Sequence, residues 1–139
     1  MNVLIAGVTE YATNWTAVRR VVELLGHDDV LITDGTYGVA TAAERILKTI
    51  PRASRPKLRV ERAEHYRYAP ELARERRALR QIKIDSPHVL VLFADSGAEL
   101  PEMPEEAIEP ELAAVVRWCR RENVPIARWE DYVATVLER

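Results

Sequence analysis

Five short, apolar, β-rich runs alternate with segments of helical spacing along the chain, and this alternation restricts the fold more than any other feature. The runs are Val3 to Gly7, Val30 to Thr33, Leu58 to Arg62, Val89 to Phe93 and Val124 to Ala127. Helical spacing occupies Trp15 to Leu25, Val39 to Ile50, Pro70 to Ile84, Pro110 to Glu122 and Glu130 to Leu137. Successive strand-helix-strand units close by right-handed crossovers, which predicts a mostly parallel five-stranded sheet with helices on both faces. The expected class is therefore α/β with three layers. Val3-Leu4-Ile5 and Val89-Leu90-Val91-Leu92-Phe93 are continuous apolar strings, as expected of central strands buried on both faces.

Helix boundaries follow from local chemistry. Val18, Val21, Val22 and Leu25 share one face of the first helix, opposite Arg19, Arg20 and Glu23, and Gly26 is the expected stop. Pro70 and Pro110 suit first-turn positions, where no N–H donor is needed. The third helix is expected to bury Leu72, Leu79 and Ile82, leaving Arg74, Arg76, Arg77 and Arg80 mostly on its solvated side. The last helix is expected to pack Tyr132, Val133, Val136 and Leu137 against a sheet edge.

A chain of 139 residues suits one domain, residues 1–139. The net charge of -2 gives no general attraction to nucleic acid, which is not the expected partner. The apolar start is too short for a secretory leader, and no stretch approaches ~18 apolar residues. Cys119, the only cysteine, allows no intrachain disulfide or cysteine-based zinc cluster. A cytoplasmic protein with no membrane partner is expected. His27, His65 and His88 are scattered, so neither a metal nor another cofactor is expected. Cys119 near Val115 and Val116 reads as a buried, inert thiol.

In a parallel sheet of this kind, ligands bind beyond the carboxyl ends of the strands, where strand order reverses. Gly7 to Glu10, Thr33 to Gly38, Ala63 to Tyr68 and Ala94 to Glu99 should converge there. The second stretch is the most informative. Asp34, Gly35, Thr36 and Gly38 form a turn between an apolar strand and a small-residue helix start. The first N–H groups of a helix lack internal partners and attract anions, above all phosphate. The same pattern also serves as a plain connection in many α/β proteins.

Other candidates carry a functional and a structural reading. Arg74 and Arg77, three apart on a helix, could hold a phosphate or carboxylate by bidentate contact. Asp95, Ser96 and Gly97 follow the most apolar strand and could meet a ribose, although they are also ordinary turn residues. Tyr37, Tyr66 and Tyr68 could stack on a base or simply pack at an edge. From Arg52 to Lys83 the local charge is +7, and from Asp95 to Glu111 it is -7; the two blocks could attract within one molecule or between subunits. The proline-rich acidic stretch from Ala98 to Glu111 reads as a lid or as an acidic surface loop.

The order of these motifs resembles the SLOG superfamily, Rossmann-like nucleotide-binding proteins related to LOG enzymes and Smf, and in particular its YspA-like branch of bacterial and phage genomes. The resemblance rests on Val3 to Thr9, on Asp34-Gly35-Thr36-Tyr37-Gly38, on Arg74 to Leu79 and on Phe93 to Gly97. Glu75 stands where the family has Asn, and Asp95-Ser96 stand where it has paired glycines. The resemblance implies a Rossmann-like domain that binds a nucleotide or nucleotide derivative through Gly7, Thr9, Asp34, Gly35, Thr36, Gly38, Arg77, Ser96 and Gly97. A homo-oligomer is also expected, with the opposed charge blocks serving self-association. If the protein is an enzyme, the implied reaction is N-glycosidic hydrolysis, with Asp95 or Glu111 beside the sugar and Arg74 or Arg77 on the phosphate. Asp95-Ser96-Gly97 is also similar to a motif of nucleoside 2-deoxyribosyltransferases. A non-catalytic interaction module that has lost its ligand is the third alternative.

Overall fold

A computed structural model describes residues 1–7, 15–35, 38–93 and 110–138, with 110 and 111 described by backbone alone. Its strands are β1 (Asn2–Gly7), β2 (Val30–Thr33), β3 (Lys57–Val60), β4 (Val89–Phe93) and β5 (Ile126–Arg128). Its helices are α1 (Trp15–Val22), α2 (Val39–Leu47), α3 (Pro70–Lys83), α4 (Pro110–Arg121) and α5 (Trp129–Leu137). The strands form one parallel sheet in the order β3-β2-β1-β4-β5. This is the three-layer, Rossmann-like α/β architecture expected from the alternation.

Each central strand divides its side chains between two cores. Val3 and Ile5 of β1, with Leu31, Val91 and Phe93, face Val18, Val21 and Val22 of α1, Ala42, Ala43 and Ile46 of α2, and Tyr132 and Val133 of α5. Leu4 and Ala6, with Ile32, Leu90 and Leu92, face Ala78 and Ile82 of α3 and Leu112, Val115, Val116 and Cys119 of α4. The alternation follows from the two-residue period of a strand. Burial raises the Cys119 thiol to about 12, so it stays protonated and unreactive at neutral pH.

The sequence expectation is corrected along α3. Leu72 and Leu79 are 48% and 39% exposed, whereas the buried stripe is Ala73, Arg77, Ala78, Gln81 and Ile82. A stripe that contains arginine and glutamine is invisible to a count of apolar residues. Leu137 is also mostly exposed, while Tyr132 and Val133 make the α5 contact. No helix among the described residues is long and apolar enough to cross a membrane.

The chain steps outward from β1 to β2 and β3, then returns to place β4 on the other side of β1. Strand order therefore reverses between β1 and β4, whose carboxyl ends, Gly7 and Phe93, are paired in register.

Candidate functional site

Gly7 brings a helix terminus to this reversal point. A Cβ built on Gly7 would lie 2.4 Å from Val39 Cγ2 and 3.0 Å from Phe93 Cβ. Val39 is the first residue of α2. The missing side chain thus lets the start of α2 rest on the ends of β1 and β4. Gly7, expected in a ligand turn, thus makes a close helix-strand contact beside the crevice.

Two further glycines shape the path from β2 to α2. Gly35 has φ +69°, and its carbonyl accepts a hydrogen bond from Arg62 Nη1 at 3.0 Å. Gly38 precedes α2 at φ 124° and ψ -125°, a conformation that side chains disfavour. Gly38, at the N-cap, has no side chain with which to cap the helix, and no acid occupies its first turn. The positive end of α2 is therefore not offset by an acid in its own first turn.

Arg77 is the second positive element. Side chains on a helix lean toward its N-terminus, and α3 starts at the carboxyl side of the sheet, so an inward-facing arginine reaches that edge. Arg77 is 1% exposed, with Nη1 3.8 Å from Asp34 Oδ2. Asp34 directly follows β2. The structure accordingly brings Gly7, Asp34, Gly35, Gly38 and Arg77 to one end of the sheet.

Family models, curated proteins and solved structures give no significant match to this chain.

Arg74 separates from Arg77. It lines a groove of about 400 Å³ between α3 and α4, together with Glu71, Glu75, Ala113, Ala114 and Arg117. Glu75 pairs with Arg117 and accepts a hydrogen bond from Trp118 Nε1 at 2.7 Å, clamping α3 to α4. Glu111 belongs to the first turn of α4, and its side chain lies outside the described residues. Thr9, Thr36, Asp95, Ser96 and Gly97 also lie outside them, as does most of the acidic stretch. His65 is exposed, and no group of metal-ligating side chains occurs among the described residues.

A charged network that sequence reasoning missed braces β3 against α3. Asp85 is buried, with Oδ1 3.3 Å from Arg59 Nη1, and Arg80 Nε donates to Glu61 Oε2 at 3.0 Å. Burial, followed by the nearby Glu61 carboxylate, raises the Asp85 pKa above its ordinary value of 3.8. The folded protein then binds more protons here than the unfolded chain, so this contribution is greatest below about pH 4 and is lost as pH rises through the folded pKa. Asp85→Asn is expected to stabilise the protein at pH 7 by ~1 kcal/mol or less, because Arg59 is half exposed and loses little. Urea midpoints should show this gain shrinking toward pH 4; a constant difference across that range would contradict the assignment.

Proposed function

We propose that the protein binds a nucleotide or nucleotide-derived phosphate ligand at the carboxyl ends of β1, β2 and β4. The supporting observation is that the acid-free start of α2, with glycine at its N-cap, is held against the reversal point by Gly7, with the Arg77 cation buried beside the same turn. Together they supply backbone N–H donors and a fixed guanidinium, a combination suited to phosphate. The resemblance to the SLOG superfamily, carried by Asp34 to Gly38, supports the same reading. Self-association, expected from the opposed charge blocks, has a further support in Leu72 and Leu79, exposed seven residues apart on α3.

N-glycosidic hydrolysis is the second reading. It is favoured by Arg74 lying against α4, the helix whose first turn carries Glu111. Release of free base from a nucleoside monophosphate would support it, and unchanged turnover in Asp95→Asn would remove Asp95 from the chemistry.

The binding reading is tested by thermal shift against nucleoside monophosphates, cyclic nucleotides, ADP-ribose and NAD. A ligand at ~100 times its dissociation constant adds about 2.7 kcal/mol of stability, enough to raise the midpoint by a few degrees. Gly38→Ala is expected to lose most of that shift, since its backbone strain alters the helix start. A flat panel for the wild type would overturn the reading and favour the interaction module.

A further inference from the structure

A cavity of about 680 Å³ lies between the end of β3 and α3, walled by Arg62, Glu64, Tyr66, Arg67, Tyr68, Arg76 and Arg80. Its arginines differ in their electrostatic state. Arg80 is matched by Glu61 and, at 3.8 Å, by Glu64, and its Nη2 donates to the Arg62 carbonyl at 2.6 Å. Arg67 and Arg76 instead sit 5.4 and 4.6 Å from the centroid of the Tyr68 ring. Neither has an ion-pair partner among the described residues, and both are exposed. One ring thus holds two guanidiniums while leaving their N–H edges free to grip an anion.

Beside them Tyr66 is 83% exposed, its hydroxyl donating to Glu64 Oε1 at 3.3 Å. Its ring is tethered at the polar tip and bare on its faces, which suits stacking with a planar base. Arg62 links the cavity to the site already described, because its Nη1 donates to the Gly35 carbonyl. Glu61, Glu64, Glu71 and Glu75 interrupt the basic residues along this part of the chain, so no continuous track for a nucleic acid backbone forms.

We infer that the ligand is a dinucleotide: one phosphate binds at the start of α2, while the second nucleotide occupies this cavity. There Arg67 and Arg76 hold its phosphate and Tyr66 stacks on its base. The inference rests on the nucleotide reading above.

Calorimetric titration of 5′–5′ dinucleoside polyphosphates, made with each of the four common ribonucleobases, alongside the matching monophosphates provides the test. One dinucleotide is expected to bind wild type at least about tenfold more tightly than its monophosphate. The Arg67→Ala/Arg76→Ala variant should lose that advantage and keep its monophosphate affinity, with an unchanged melting midpoint because both side chains are exposed. Equal wild-type affinities, or an advantage that survives in the variant, would overturn the dinucleotide inference and leave the mononucleotide site standing. Failure of every ligand to bind would overturn both.

Discussion

Replacing Arg77 with alanine is expected to lower the free energy of unfolding by about 3–5 kcal/mol. The change removes a long, fully enclosed side chain and leaves Asp34, only 16% exposed, without the guanidinium 3.8 Å away. Arg77→Met separates stability from binding. Methionine fills much of the same space without charge, so the packing part of that loss should be recovered, leaving the cost of depriving Asp34 of its guanidinium, about 1–3 kcal/mol. Phosphate affinity should nevertheless fall by about tenfold or more, as expected from loss of a charge-assisted contact. Chemical denaturation and ligand titration on both variants measure the two effects independently. Undiminished binding by Arg77→Met would make this arginine a fold residue alone.

Gly7→Ala should be nearly as costly, at about 2–3 kcal/mol. The new methyl group would meet Val39 Cγ2 at 2.4 Å and the Phe93 carbonyl at 3.1 Å. Val39 is short and branched, and cannot swing away as a lysine would. The helix start must therefore move. Removing the obstruction in Gly7→Ala/Val39→Ala should restore more than half of the lost stability, measured by urea unfolding of the four members of the cycle. Wild-type stability of Gly7→Ala alone would show that α2 need not approach so closely.

The fold was largely legible because its evidence is local. Val89 to Phe93 is apolar throughout, Pro70 marks a helix start, and the β-α alternation leaves little choice of topology. Predicted boundaries drift by one to three residues at β3, β5 and several helix ends, where pairing with a neighbour outweighs composition. The buried face of α3 was not legible. Arg77 lies inside because Asp34, forty-three positions earlier, lies beside it, and nothing in the local pattern reports that pairing.

Of the candidate site, the turn after β2 was legible. Asp34, Gly35 and Gly38 carried a visible turn signal, confirmed by positive φ at both glycines. Gly7 stood out as a glycine at the end of an apolar strand, but its close contact with Val39 depends on where a later helix lands. Arg62, Arg67 and Arg76 did not stand out individually, since arginines in a basic stretch look alike until Tyr68 and the Gly35 carbonyl distinguish them.

The outer strands of the sheet also bear on how this molecule tolerates crowding. An open sheet has two flanks whose backbone can recruit a strand from a neighbouring molecule and seed a growing fibre. Here one flank, β3, follows Pro56 and carries Lys57 and Arg59, while the other, β5, follows Pro125 and is three residues long. Proline offers no N–H to an incoming strand, and each added copy would bring like charges together. The chain can therefore keep a strongly apolar centre in β1 and β4 without becoming a template for its own polymerisation.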